Sequence, residues 1–294
     1  MNKKTVFLTG TSGFVGQQYI SCIRNKYIIK AVSLRTSNLK NIAFDQVDSI
    51  LHLAGKAHQM QKIEDQIYFD VNYELTKQFA DEAKAAGVPH FVFVSTIKVF
   101  GEHQNAILNE DSSCEPLNDP YGESKLKAEQ YLQSIEDENF KVAIVRPPLV
   151  YGPGVKGNLI RFLELGNKDW PLPFARINNR RTMVFIDNLI ELINRIIETR
   201  ASGVFLAGDR EPISTTRLIS EIRKGLGKKE NLFVMPDLFK WLLGKLKPEL
   251  TTRLYGSLEM DTSKTNENLN FLPPYSVEEG IKVMVDWYKQ QIQK

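Results

Sequence analysis

A chain of 294 residues, 42% apolar and 25% charged, is long enough for a large core and has the composition of a globular protein. Its formal charge of +3, with no basic run interleaved with aromatics, gives no case for a nucleic-acid partner. No stretch reaches the ~20 apolar residues of a membrane span, the apolar run after Met1-Asn2-Lys3-Lys4 is too short for a signal peptide, and the two cysteines, Cys22 and Cys114, have no metal-type spacing. A reduced, cytoplasmic protein without a metal is therefore expected.

In chain order, short apolar runs alternate with helical stretches, the pattern of parallel βαβ units. Thr5–Thr9 reads as a strand, with a helix from about Phe14. Residues 28–34 and 49–54 are two further strands, and 71–86 is a helix closed by Gly87-Val88-Pro89. Residues 91–95 form a wholly apolar strand, as expected when both faces are buried. Pro120–Ser134 is helical and 142–146 is another buried strand. Pro147-Pro148, Gly152-Pro153-Gly154 and Pro171-Leu172-Pro173 then break the pattern. A strand running into a helix follows over 184–197, a strand over 204–207, and a mainly helical remainder. Within that remainder, 238–246 is apolar but carries Lys240 and Lys245; it reads as an amphipathic helix packed in the core rather than lying on a membrane. The fold class is α/β, a Rossmann-like doubly wound parallel sheet with a smaller, discontinuous substrate lobe. The dinucleotide-binding part takes 1–155 and about 180–208, and the substrate lobe takes about 156–179 and 209–294.

Gly10-Thr11-Ser12-Gly13-Phe14-Val15-Gly16 follows the first strand and opens a helix. Glycine tolerates the tight turn and lets backbone approach a pyrophosphate, while the helix N-terminus offers free N–H groups and positive dipole. After the second strand comes Ser33-Leu34-Arg35, with no acid before Asp45. An acidic residue there would hold the ribose of NAD; its absence, with Arg35 free to pair a 2′-phosphate, favours NADP, with NAD as the alternative. The plainer reading of Arg35 is a solvated loop charge.

Tyr121 and Lys125 stand four residues apart on one helix face. An ammonium beside a phenol should lower the tyrosine pKa toward working pH, so that Tyr121 can pass a proton to or from a carbinol oxygen. The same spacing also occurs by chance on helix surfaces. Ser95 and Thr96 end the apolar strand at the carboxyl edge of the sheet, where ligands bind in such folds.

Taken together, the glycine loop, His52-Leu53-Ala54, Asn72, Ser95-Thr96, Tyr121/Lys125, Arg146-Pro147-Pro148-Leu149-Val150-Tyr151-Gly152-Pro153-Gly154, Asp187 and Asp261-x-Ser263-Lys264 occur in the order of one family. The chain resembles the NAD(P)-dependent sugar epimerase/dehydratases, the extended short-chain dehydrogenases. The resemblance implies Thr96, Tyr121 and Lys125 as the catalytic set. It implies cofactor contacts from Gly10, Thr11, Ser12, Gly13, Phe14, Val15 and Gly16, from Leu53, Ala54 and Gly55, and from Asn72, Ser95, Tyr121, Lys125 and Pro147. The family's third strand is expected to be shortened or absent, because only Thr36 to Asp48 lies between the second strand and His52-Leu53-Ala54.

Dehydratases of the family carry an acidic pair after the catalytic threonine, whereas this chain has Ile97-Lys98. Ile97-Lys98-Val99, with the loop Gly55-Lys56-Ala57-His58-Gln59-Met60, resembles a subgroup that reduces the 4-keto group of UDP-4-keto-6-deoxy-N-acetylhexosamines to UDP-N-acetyl-quinovosamine or UDP-N-acetyl-fucosamine for surface polysaccharides. That NADPH-dependent reductase is the first expectation. A 4-epimerase with tightly held NAD is the second, and a non-catalytic dinucleotide-binding regulator the third. Asn158 reads equally as a substrate contact or a helix cap. Arg180, Arg181 and Arg253 could meet a uridine diphosphate or be solvated, and Lys98 and His58 could face the ligand or only the solvent. The partner expected is a UDP-linked sugar; oligomeric state stays open, a homodimer being one option.

Overall fold

A computed structural model describes residues 3–23, 26–35, 39–57, 64–101 and 107–293. Chain order runs β1 (Thr5–Thr9), α1 (Phe14–Ile23), β2 (Ile28–Val32), β3 (Ser49–His52), α2 (Asp65–Phe69), a π-helical turn (Asp70–Glu74), α3 (Leu75–Ala85), β4 (His90–Val94), β5 (Ile107–Leu108), α4 (Pro120–Ser134) and β6 (Lys141–Arg146). It continues with β7 (Leu149–Tyr151), α5 (Asn158–Gly166), β8 (Met183–Phe185), α6 (Ile186–Thr199), β9 (Gly203–Leu206), α7 (Thr215–Gly225), α8 (Asp237–Leu246), α9 (Pro248–Tyr255), β10 (Glu259–Met260), α10 (Ser263–Leu269) and α11 (Val277–Ile292).

Among the described residues the main sheet has the order β2-β1-β3-β4-β6-β9, all parallel. The inner strands are apolar throughout because both faces are covered. Val6, Leu8, Leu51, Val92 and Val145 point to a core shared with α1, α5, α6 and α11. Their neighbours Phe7, Ile50, Phe91, Phe93 and Ile144 point to the opposite core, under α3 and α4. The strand order reverses between β1 and β3, which opens a crevice at the carboxyl edge.

No strand lies between β2 and β3 among the described residues; a single 3-10 turn, Leu39–Asn41, stands there. A parallel crossover needs a dozen or more residues before its strand begins, and the segment is too short for both. Leu34, Phe44 and Val47 instead fold over the sheet, with the Phe44 ring between Phe7 and Phe79 at 5.5 and 5.8 Å.

Two expectations need correction. The helix expected over 71–86 starts earlier, at Asp65, and contains the π-helical turn. The helix over 238–246 forms, but not in the core: α8 has no buried residue, and Leu243 alone on it joins an apolar cluster, the one formed with Leu254 and Tyr255. The amphipathic pattern is real, but α8 packs mainly on α9 and leaves the rest of its apolar arc in solvent.

Candidate active site

Parallel strands end on one side, so the chain segments leaving β1, β3, β4 and β6 converge at one crevice. Gly10 has φ +71°, and a Cβ on it would lie 2.5 Å from Leu53 C and 2.6 Å from Ala54 N. A Cβ on Gly16 would lie 2.3 Å from the Gly10 carbonyl oxygen, whereas one on Gly13 would stand 3.2 Å away. Gly10 and Gly16 therefore let the turn, α1 and the end of β3 close together, and the 11–13 turn is left at the N-terminus of α1 with Ser12 and Gly13 exposed. The Phe14 ring lies against Gly154.

A hydrogen-bonded line braces the strand ends. Ala54 N donates to Thr9 Oγ1 at 3.1 Å, Thr9 Oγ1 meets His52 Nδ1 at 3.0 Å, and His52 Nε2 meets Thr76 Oγ1 at 3.0 Å. Burial holds the His52 pKa down to about 3, helped by the Lys125 charge, so the imidazole is neutral.

Asn72 sits buried on the π-helical turn, a device common at functional sites. Its Nδ2 donates to Lys56 O (3.2 Å) and Ser124 Oγ (3.0 Å), and its Oδ1 accepts from Lys56 N (2.7 Å). Ser124 Oγ donates in turn to Tyr121 O at 2.9 Å. Both of its amide protons are committed, and the residue ties the loop after β3 to α4. Gly55 shares this corner, where a Cβ would stand 3.0 Å from Asn72 Oδ1 and 3.3 Å from Lys125 Nζ.

Tyr121, Lys125 and Thr96 do come together. Tyr121 enters the first turn of α4, which is capped by Asp119 accepting from Gly122 N at 3.3 Å, with Pro120 inside the cap. A Cβ on Gly122 would come within 2.8 Å of Lys98 O, so the bare glycine lets α4 press onto the turn 97–100. Thr96 caps that turn and hydrogen-bonds the Tyr121 phenol. The phenol is pushed up to about 12, mainly by burial, with the Thr96 bond opposing and Asp119 and Tyr68 adding. This overturns the expectation of a phenol drawn toward neutrality by Lys125. The lysine shares the helix face, but its Nζ donates to Val94 O at 2.9 Å and stands 4.4 Å over the Phe93 ring. Burial lowers Lys125 to about 8, against the raising influence of Glu129.

Ser95 follows β4, and its Oγ is buried with no hydrogen-bond partner among the described residues. A buried hydroxyl without a partner is costly and marks a place for a polar ligand group. Pro147 lies in the crevice floor, its carbonyl accepting from Ile97 N at 2.9 Å. The glycine cradle, the N-terminus of α1 and the unpartnered Ser95 hydroxyl together fit a dinucleotide. Arg35 is exposed just beyond β2. A cavity of about 410 Å³ runs along the free edge of β2, lined by Val32, Ser33, Asn41 and Ile42, where a further strand would have paired.

The substrate-side expectations divide. Lys98 Nζ is held by Asp119 Oδ2 at 2.6 Å, on the rim beside Tyr121. Arg180 is committed to Glu259 through two bonds of 2.6 Å. Arg181 donates to Gly256 O at 3.0 Å; burial and the nearby Arg253 charge lower its pKa. A cavity of about 340 Å³ lies along the same segments, lined by Ile177, Asn178, Tyr255 and Ser257. Asn158 opens α5 but does not cap it; the cap position is Gly157, at φ +69°. His58 lies outside the described residues. Sequence reasoning missed Asp119 and Tyr68. The Asp119-Pro120 pair is a helix-start signal that could have revealed the first. Tyr68, whose ring centre lies 5.9 Å from that of Tyr121, arrives from α2 with no such signal.

Residues 6–208 match the NAD dependent epimerase/dehydratase family, and the chain belongs to it. It is 34% identical to a UDP-glucose 4-epimerase of Vibrio cholerae, over 95% of this chain and 94% of that protein. Among solved structures, it superposes with a TM-score of 0.80 on a UDP-N-acetylglucosamine 4-epimerase from Methanobrevibacter ruminantium M1, in complex with UDP-N-acetylmuramic acid (19% identity; 99% and 100% of the chains covered). A UDP-glucuronic acid 4-epimerase from Bacillus cereus, in complex with NAD, gives a TM-score of 0.75 at 22% identity, covering 98% of this chain and 99% of that one.

Proposed function

We propose that the chain is a UDP-hexose 4-epimerase that works with a retained NAD. The observation that carries this reading is the Thr96–Tyr121 hydrogen bond beside a crevice wall in which Ile97 is buried and Lys98 is paired with Asp119. Elimination across C5–C6 would need an acid and a base at those two positions, whereas exchange at C4 needs only the phenol and its partner. The 34% identity to the Vibrio cholerae UDP-glucose 4-epimerase supports the epimerase reading.

The 10–16 turn and the N-terminus of α1 would hold the dinucleotide phosphates, Lys125 the ribose and Ser95 a polar group of the nicotinamide half. When bound, the dinucleotide supplies the hydride acceptor and donor at the sugar C4. Tyr121, once deprotonated, would take the C4 hydroxyl proton and later return it to the C4 oxygen, cycling between phenolate and phenol with no net change. Thr96 holds the phenol and the C4 oxygen in register, and Arg181 and Arg253 neutralise the diphosphate.

A second reading, the NADPH-dependent 4-keto reductase, is supported by the absence of a carboxylate after β2 and by exposed Arg35. A reductase must release its oxidised cofactor in every cycle; an epimerase must keep it. Denaturing the purified protein and measuring released nucleotide, with assays of UDP-glucose and UDP-N-acetylglucosamine without added cofactor, separates the two. Bound NAD with cofactor-free epimerisation is expected. Cofactor-free protein that consumes NADPH with UDP-4-keto-6-deoxy-N-acetylglucosamine would replace the epimerase by the reductase.

A further inference from the structure

One helical turn beyond Lys125, α4 buries a second charge. Lys125 is 4% exposed, Glu129 0%, and Arg146, at the end of β6, 5%. Tyr121, Lys125 and Glu129 recur every four residues and so share one face of α4. Arg146 Nε donates to both carboxylate oxygens of Glu129 at 3.2 Å, and its Nη2 donates to Oε2 at 2.6 Å. The guanidinium carbon stands 4.8 Å over the ring of Phe100, in the turn that Thr96 caps. The carboxylate is thereby fixed between α4, β6 and that turn, the elements around the catalytic set.

Stability alone does not account for such a pair. Taking both ions out of water offsets most of their attraction, and apolar side chains of similar volume commonly serve a core as well. What the pair does leave on α4 is a fixed negative charge, one turn from an ammonium that burial works to deprotonate. Among the described residues, the groups that face Lys125 from other elements bring no anion. β3 presents the neutral His52, β4 the Phe93 ring and the Val94 carbonyl, and the corner at Gly55 the amide of Asn72. On α4 itself the Tyr121 phenol is protonated, and Glu129 is the carboxylate that strengthens the hold of Lys125 on its proton against burial. Val94 O accepts from Lys125 Nζ, which leaves two of the three ammonium donors for other acceptors.

We propose that Glu129, clamped by Arg146, is a positioning residue: its carboxylate is the counter-charge that keeps Lys125 an ammonium in the crevice floor, ready to donate to the ribose hydroxyls of a dinucleotide. The proposal rests on the reading of Lys125 as the ribose contact, which the epimerase and the reductase share. It adds a group that touches neither cofactor nor sugar.

The test is a nuclear magnetic resonance titration of the whole protein carrying isotope-labelled lysine, with the Lys125 signal assigned by its loss in Lys125→Met. Glu129→Gln keeps an oxygen for Arg146 but removes the charge. The proton affinity of Lys125 should then fall at least about tenfold. Dinucleotide affinity, read by titration at a series of pH values, should start to fall at a correspondingly lower pH and stay near that of the parent below it. A merely structural ion pair would lower affinity at every pH and leave the Lys125 titration in place. Should Glu129→Gln fail to fold, Glu129→Gln with Arg146→Gln removes both buried charges and should show the same fall. An unmoved Lys125 titration in the variant that folds, with affinity lost in Lys125→Met, overturns the proposal alone. Unchanged dinucleotide affinity in Lys125→Met would overturn the ribose contact, and the proposal with it.

Discussion

The hydroxyl of Thr96 and the phenol of Tyr121 are hydrogen-bonded across two different elements, the turn after β4 and the first turn of α4. The contact depends on the bare Cα of Gly122, which lets α4 rest on the carbonyl of Lys98. The phenol and hydroxyl that the proposed reaction uses therefore come from two separate elements of the fold. Tyr121→Phe should lower turnover by about 10²–10⁴ while leaving dinucleotide binding nearly intact, as steady-state rates and nucleotide titration would show. Thr96→Val should lose less than Tyr121→Phe, and chiefly in kcat. Equal rates for the phenylalanine variant and the parent would remove Tyr121 from the proton transfer.

Lys125 gives stability an alkaline signature. Its pKa falls from 10.5 unfolded to about 8 folded, so over that window the unfolded chain binds the extra proton and stability rises with pH. The full effect is about 3 kcal/mol. Lys125→Met removes the buried charge, so denaturant titrations should show the parent gaining stability from about pH 8 upward with the variant lacking that gain. Parallel curves for the two proteins would show that Lys125 is not charged and buried as described.

His52 acts in the opposite pH range. Its pKa falls from 6.5 unfolded to about 3 folded, so its contribution is complete above 6.5 and is lost as pH drops toward 3. By about pH 5 this one group should have cost about 2 kcal/mol. Buried His90, held down to about 4, adds a similar loss. His52→Gln should be less stable at neutral pH but should flatten the acid limb of a urea-midpoint profile. An unchanged limb would mean that His52 is already exchanging protons in the folded protein.

The glycine loop offers a matched pair. In Gly16→Ala the new methyl meets the Gly10 carbonyl at 2.3 Å, a backbone atom that cannot swing aside. The expected cost is about 1–3 kcal/mol, together with loss of dinucleotide binding. In Gly13→Ala the same carbonyl is 3.2 Å away, so the fold should be kept and binding should weaken less. Thermal unfolding and nucleotide titration read both, and equal behaviour of the two variants would contradict the close approach at Gly16.

By itself the sequence determined the order of strands and helices in the first half, because apolar runs bounded by glycine and proline specify buried parallel strands locally. It also determined the chemical types at the crevice: the glycine loop, the threonine at a strand end, and tyrosine and lysine on one helix face. The short segment before Asp48 pointed to a strand shortened or absent, and none stands there among the described residues, since chain length alone limits a crossover. Only tertiary structure decided where charges and hydrogen bonds end. Lys125 stands at the right spacing, yet the carbonyl of Val94 and the ring of Phe93 come from another strand and hold its ammonium. Asn72 carries a family signature, yet Lys56 and Ser124 consume its amide. Arg180 and Arg181 are adjacent, but one is taken by Glu259 and the other is set near Arg253. The apolar pattern of 238–246 is compatible with a core or a surface position. Among the described residues no element covers the arc of α8, which therefore lies in solvent; periodicity states which face is apolar and not what covers it.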